Sequence, residues 1–369
     1  MTVAPGEYID SLELMGMEFG LDRMLELLAE LGHPEREFDA IHIVGSNGKS
    51  STVRFCEALL EAEGVHSGAY LSPHITSFRE RIRLRGEPIS QDAFDEAVSA
   101  VRDAGLPLTQ FEALTGAALL AFARDGVAWA VVEAGLGGRL DATNVLARSR
   151  VQVLTNVSME HSELLGRSRD QIAREKLAVV PRDGQLVIGE PGWEDAAPQA
   201  AWTRVVTVGG PFQDQNRAVA QAAVEAALGR PVDAGVIADM DVPGRLELRD
   251  GHPIEIWDGA HNPAGMQRLV AELPGLLGAR HAVAVFSALS DKDVPTMLSL
   301  LKAVCPTVVA TRSSHPRSMP AETIASLAGG PATESPHAAL EAARALAGRD
   351  GAVVVCGSLY LINDLNVSD

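Results

Sequence analysis

Between residues 41 and 62 one ordered succession constrains the fold more than anything else in the chain. An apolar, β-branched run, Ile41-His42-Ile43-Val44, leads into Gly45-Ser46-Asn47-Gly48-Lys49-Ser50-Ser51 and then into a helical pattern. Val53, Cys56 and Leu60 share one face of that pattern, and Gly64 stops it, so a helix is expected over 50–62. Strand, glycine turn and helix in this order belong to an α/β sheet. The glycines let backbone N–H groups turn towards an anion with no Cβ in the way. The helix N-terminus adds its dipole to the same spot. Lys49 can contact β- and γ-phosphates, and Ser50 or Ser51 can bond phosphate or a metal. The motif is a compact G-x-x-G-K-S, because position 43 is Ile where the general phosphate loop carries glycine.

The remaining chain alternates short β-branched runs with longer helical ones and shows no internal repeat. Strands are expected at 128–132, 151–155, 253–257, 282–286 and 352–356, and helices at 111–123, 213–228 and from Pro263. At 369 residues the chain is too long for one ordinary core. Asp239-Met240-Asp241-Val242-Pro243-Gly244 has the proline, glycine and acids of a junction, which places a larger domain at 1–240 and a smaller one at 241–369. Hydrophobic residues at 46% and charged residues at 22% argue for a globular chain. No apolar run reaches the roughly 18 residues that a membrane span needs. Met1 to Asp10 lacks the basic and apolar regions of a secretory signal. Cys56, Cys305 and Cys356 are far apart and read as buried small hydrophobes in a reducing cytosol, which points to a cytoplasmic protein.

A net charge of −18 opposes nucleic-acid binding, so an anionic ligand must be held by local cations, a metal or backbone amides. Arg79, Arg81, Arg83 and Arg85 form one basic island, and their alternation reads as a solvated strand. Magnesium takes oxygen ligands and calls for a carboxylate near the phosphates. Glu133 supplies one, at the end of the apolar run Trp129-Ala130-Val131-Val132 and before Ala134-Gly135-Leu136-Gly137-Gly138. That is where α/β sheets bind ligands. From pattern alone His161 is a lone histidine after an apolar strand, and Lys176 is a lysine on a helix face.

Further blocks follow in order: Leu71-Ser72-Pro73-His74, Phe78-Arg79-Glu80-Arg81-Ile82, Phe111-Glu112-Ala113-Leu114-Thr115 and Glu133 through Gly138-Arg139-Leu140-Asp141-Ala142-Thr143-Asn144. Then come His161 through Gly166, Arg174-Glu175-Lys176, Pro243-Gly244-Arg245-Leu246-Glu247, Asp258-Gly259-Ala260-His261-Asn262-Pro263, Asp291-Lys292-Asp293 and Gly357-Ser358-Leu359-Tyr360-Leu361. Together they resemble the folylpolyglutamate synthase/dihydrofolate synthase family within the Mur-ligase-type amide ligases.

The resemblance implies a phosphate-loop ATPase domain of Mur-ligase type followed by a smaller, Rossmann-like α/β domain. It implies ATP and Mg2+, a dihydropteroate or reduced folate acceptor, L-glutamate, and a monomer. Gly45 to Ser51 would hold ATP phosphates. Ser72 and Glu133 would bind one metal, and His161 and Lys176 a second that shares Glu133. Lys176 would be carbamylated, since an ammonium has no lone pair for a metal. Gln213 and Asn216 match the adenine side, while Arg245, Asp258 and His261 match further ATP contacts. Thr109, Phe111 and Asp141 match positions lining the pterin site, Ser72 and His74 are further substrate candidates, and Ser358 and His261 match positions near the incoming glutamate. Domain closure would then assemble the site.

Four features depart from the family. Ser50 stands where its folate members have glycine, and Arg79 replaces asparagine. Leu177-Ala178-Val179 replaces Ala-Gly-Ile, and the 177–212 segment is short, so later strands of the first domain are expected to be trimmed. Two alternatives follow: a Mur-type ligase for another carboxylic acid, and a non-catalytic ATP-binding paralogue.

Overall fold

The computed structural model describes residues 4–12 and 20–367; Met1, Thr2 and Val3 of the opening stretch lie outside them. The chain divides into two compact units, Met1–Met240 and Asp241–Asp369.

The first unit is built on eight strands: β1 (Asp39–Val44), β2 (Ser67–Tyr70), β3 (Ile82–Leu84), β4 (Glu87–Pro88), β5 (Trp129–Glu133), β6 (Ser149–Leu154), β7 (Gln185–Ile188) and β8 (Trp202–Val205). Their order in the sheet is β4-β3-β2-β5-β1-β6-β7-β8. β3 pairs antiparallel with both β2 and β4, and the other neighbours pair parallel. Covered on both faces, the central strands read as near-continuous apolar runs. β1 lies between β5 and β6, so the loops leaving these three strands meet at one edge. The 177–212 segment, expected to be trimmed, contains β7 and β8, both parallel to their neighbours.

Local chemistry sets the helices beside this edge. Helix Lys49–Ala62 starts after Gly48, whose φ of 85° is left-handed. A Cβ on Gly48 would also sit 2.5 Å from Asn216 Oδ1, so this turn needs glycine on both counts. Helix Gln110–Asp125 opens with a capping box: Thr109 Oγ1 accepts the Glu112 N–H at 3.3 Å, and Glu112 accepts the Thr109 N–H at 2.8 Å. Arg23 grips the same Glu112 carboxylate at 2.9 Å.

The arginine row departs from expectation. The Glu80 carboxylate accepts the N–H groups of Ile75, Thr76 and Ser77, which winds Phe78–Arg81 into a 3-10 turn rather than a strand. Beyond it, Arg83 is buried and donates to Glu57 at 2.8 Å, while Arg85 is 66% exposed. Alternation in the sequence is therefore misleading, because Glu80 within the row and Glu57, 26 residues before Arg83, decide how the row folds and which arginine turns inward.

The second unit carries β9 (Glu247–Arg249), β10 (Ile254–Asp258), β11 (Ala282–Phe286), β12 (Thr307–Thr311), β13 (Ala332–Thr333) and β14 (Ala352–Cys356). The order is β13-β12-β11-β14-β10-β9, parallel except for β9 against β10. Every residue of β11 and β14 is buried. All three cysteines are buried free thiols, and burial pushes the Cys305 thiol up to about 12. Among the described residues no helix is long and apolar enough to cross a membrane.

Candidate active site

The edge where β1, β5 and β6 end holds the 45–51 turn expected to take phosphate. It is stitched to the segment after β6. Ser46 N–H donates to the Asn156 carbonyl at 2.9 Å, and Asn47 N–H to Asn156 Oδ1 at 3.1 Å. Asn156 Nδ2 and Thr155 Oγ1 both donate to the Asn47 carbonyl, at 2.6 and 2.8 Å. Ser158 N–H donates to Ser46 Oγ at 3.0 Å. These bonds fix the loop's curvature, so its remaining amides need not reorganise around an anion.

Two lysines meet over one carbonyl. Lys49 Nζ donates to the Gly45 oxygen at 3.1 Å, and Lys176 Nζ donates to the same oxygen at 3.0 Å. Lys176 is 1% exposed and also pairs with Glu160 at 2.8 Å. Burial lowers the Lys176 pKa, Glu160 opposes that, and Lys49 adds to it. Burial would raise the Glu160 carboxyl, but Lys176 and then Lys49 hold it below its ordinary range. Lys176 pairs with Glu160, while Lys49 rests on a carbonyl oxygen, which leaves its charge for a phosphate.

Beside them, Glu133 ends β5 at 2% exposure. Ser50 Oγ donates to Glu133 Oε1 at 3.2 Å, and Ser72 N–H donates to Glu133 Oε2 at 3.1 Å. Among the described residues no group of three or more His, Cys, Asp or Glu could hold a metal. An all-protein cage is thus absent there, but magnesium seldom uses one. It is held by one or two carboxylates, waters and substrate phosphates. A carboxylate, a serine hydroxyl and Ser72 next to a phosphate loop fit that habit. His161 follows Glu160 directly and is held in the left-handed region at φ 43°, a conformation that costs a non-glycine residue of order 1 kcal/mol or more.

On the other side of the loop, Gln213 Nε2 donates to Ser51 Oγ at 3.4 Å, and Asn216 Nδ2 donates to Gln213 Oε1 at 3.0 Å. The loop 134–144 carries Asp141, 5% exposed, which accepts the Leu136 N–H at 2.8 Å. Burial raises the Asp141 pKa against those bonds and against Lys49. The Phe111 ring packs on Gly135, where a Cβ would lie 2.6 Å from the ring, and Thr109 caps the helix that bears Phe111. His74 Nδ1 accepts from Arg81 Nε at 2.8 Å. Burial and Arg81 push the His74 pKa down to about 3.

The other residues lie in the second unit. Asp258 ends β10 with each carboxylate oxygen accepting one backbone N–H, from Leu246 and from Ala260, both at 2.8 Å. Burial raises its pKa, and Arg245 opposes. His261 Nδ1 lies 2.8 Å from the Gly259 carbonyl. Ser358, 2% exposed, caps helix Leu359–Asn366 by accepting the Tyr360 N–H at 3.1 Å. Sequence reasoning missed Glu160, Asn156 and Thr155. The available signal was a row of polar residues directly after an apolar strand.

Comparison with known proteins then gives the family. The Mur ligase middle domain matches residues 43–209, and the Mur ligase, glutamate ligase domain matches 244–359. The dihydrofolate synthase/folylpolyglutamate synthase of Escherichia coli is 30% identical over 96% of this chain and 92% of its own length. A Haloferax volcanii protein described as a probable bifunctional folylpolyglutamate synthase/dihydropteroate synthase is 32% identical over 93% of this chain, which spans 47% of that longer protein. E. coli FolC solved in complex with DHPP and ADP superposes with a TM-score of 0.91 at 29% identity, covering 99% of this chain and 97% of that one. A bifunctional folylpolyglutamate synthase/dihydrofolate synthase solved with Mn, AMPPNP and L-glutamate bound gives 0.88 at 26% identity, over 99% and 97%. By sequence over nearly its whole length and by fold, this chain belongs to the folylpolyglutamate synthase/dihydrofolate synthase family of Mur-type ligases.

Proposed function

We propose that the chain uses ATP to join L-glutamate to dihydropteroate, to a reduced folate, or to both. The observation that carries this reading is the Lys49 ammonium on the Gly45 carbonyl, set beside Glu133 and the Ser50 and Ser72 groups bonded to it at the end of the central strands. A carboxylate resists attack because its own charge repels a nucleophile. Passing the γ-phosphoryl group of ATP to a carboxylate oxygen gives an acyl phosphate with a good leaving group. The glutamate amine then attacks the acyl carbon, and amide, ADP and phosphate result. Lys49 and the loop amides would hold the phosphates and neutralise charge that develops on the transferred group. Glu133, Ser50 and Ser72 would hold magnesium, which supplies further neutralisation when bound. Gln213 and Asn216 would border the adenine; Arg245, Asp258 and His261 would contribute from the second unit, with Ser358 near the glutamate.

His161 and Lys176 would serve a second metal, with Lys176 as a carbamate. Burial and Lys49 favour its neutral amine, the form able to attack carbon dioxide. The carbamate would exchange a cation for oxygen donors. Replacing Lys176 with alanine should then abolish most turnover, and near-normal activity would remove the carbamate role.

The reading as a whole is tested by ADP release with ATP, magnesium and glutamate, comparing dihydropteroate, a reduced folate and no acceptor. Acceptor-dependent release with a product heavier by one glutamyl unit supports it and names the branch. Binding of ATP without release on either acid would move the acceptor to another carboxylic acid.

A further inference from the structure

The phosphate loop and the metal-side oxygens leave one anomaly in the first unit unexplained. His42 lies within the central strand β1 at 1% exposure, flanked by buried Ile41, Ile43 and Val44. A valine would complete that core without removing an imidazole from water. Burial lowers the His42 pKa to about 4, so the ring is neutral at pH 7. Its Nε2 lies 2.8 Å from Thr143 Oγ1. The fully buried Thr143 hydroxyl lies 2.5 Å from Asp141 Oδ1, which also accepts the Thr143 N–H at 3.0 Å.

Proton counting orders this chain. The Leu136 and Thr143 N–H groups and the Lys49 charge favour an ionised Asp141 against its burial. In that form it can only accept, so the single Thr143 hydroxyl proton goes to Asp141. The Thr143 oxygen is then the acceptor, and His42 must be the Nε2–H tautomer that donates to it. With Leu136 N–H on the other oxygen, the Asp141 carboxylate is held from both sides. The strand that enters the phosphate loop is thereby tied to the 134–144 loop through one hydroxyl. Asp141 also lies within electrostatic reach of Lys49 and Lys176.

We infer that His42 is a positioning residue for the acid substrate: by holding the Thr143 hydroxyl it fixes the orientation in which Asp141 meets that acid. The inference rests on the reading of Asp141 as part of the acid pocket. Without the imidazole donor, Thr143 Oγ1 loses the bond that selects its rotamer, and the carboxylate loses a fixed partner. The nucleotide is held by the phosphate loop and would feel little of this. A structural role in the strand core would disturb both substrates alike.

The test is steady-state ADP release with dihydropteroate and ATP varied separately, alongside thermal unfolding of every variant. His42→Phe keeps the bulk and removes the donor, while His42→Gln can return an N–H to the same oxygen. The expected result for His42→Phe is a KM for dihydropteroate raised about tenfold with the KM for ATP within about twofold. His42→Gln should recover to within about threefold of the unaltered enzyme. On an Asp141→Asn background, His42→Phe should add less than about twofold, because the two act through one group. Thr143→Val, nearly isosteric, should reproduce the acid-specific rise and carries the test if His42→Phe does not fold. Equal rises in both KM values, or full additivity with Asp141→Asn, would overturn the inference. Should Asp141→Asn leave the KM for dihydropteroate unchanged, the reading of Asp141 fails and the inference falls with it. That pattern differs from one in which Asp141→Asn raises the KM while His42→Phe does not, which overturns the inference alone. No dihydropteroate-dependent ADP release from the unaltered protein would overturn the proposed function, and the inference with it.

Discussion

The ends of β1 and β10 hold buried charge in opposite ways. After β1, Lys49 and Lys176 share one carbonyl oxygen, and Glu160 pairs with the second. After β10, Asp258 spends each oxygen on a backbone N–H of its own unit. The first arrangement rests Lys49 on a carbonyl oxygen rather than a carboxylate, so its charge is there for an anion. The second gives each carboxylate oxygen one N–H in the turn that leads to Asn262, which caps the next helix by accepting the Gly265 N–H at 2.7 Å, so a nucleotide contact there would use the lone pairs that remain. Burial of a charged group therefore does not by itself mark chemistry; the partners do.

Substitutions should separate the two regions by what they damage. Lys49→Ala is expected to lower kcat/KM by about a thousandfold or more, about 4 kcal/mol, with unfolding little changed. Steady-state kinetics beside a urea titration checks this, and a parallel loss of stability would make Lys49 part of the scaffold. Next in size comes a contrast within the arginine row. Arg83→Met removes the partner of buried Glu57, whose Oε1 already lacks a hydrogen-bond partner. It should destabilise the first unit by about 3–5 kcal/mol.

Acid should act on the first unit through His42. Its folded pKa, about 4, lies below the ordinary 6.5, so the unfolded chain takes up the proton first. The stability it contributes is present above pH 6.5 and is lost as pH falls towards 4, a change of about 3 kcal/mol. Urea midpoints between pH 7 and 4 should show that slope together with a share from half-buried His74, whose pKa is also pushed down, and His42→Gln should lessen the slope and leave the His74 share. In the second unit, Asp258→Ala leaves two N–H groups unpaired and should cost about 2 kcal/mol in the same titration. The smallest effect belongs to Arg85→Met, expected below about 0.5 kcal/mol because Arg85 is exposed and lies 3.8 Å from Asp125.

What the sequence revealed follows the range of the forces involved. β1, the glycine turn and the helix after it are local, and their residues alone point to a phosphate loop. The place of Glu133 at the end of β5 was legible for the same reason: an apolar run ended in an acid before glycines. Lys176 and His161 looked ordinary, because a helix lysine gains meaning from Gly45, 131 residues away, and from Glu160. The link from His42 to Thr143 spans 101 residues, and no period or spacing announces it. The arginine row misled because Glu80 and Glu57, rather than alternation, decide where those side chains go.

In this reading Lys49 and the turn after β1 serve to activate a carboxylate with ATP. The most direct measurement starts from dihydropteroate carrying 18O in its carboxylate, incubated with ATP, magnesium and glutamate, and follows the label in the phosphate released. The account predicts one 18O atom in each phosphate formed, because the acid oxygen that receives the phosphoryl group leaves with it. Amide formation with unlabelled phosphate would contradict it.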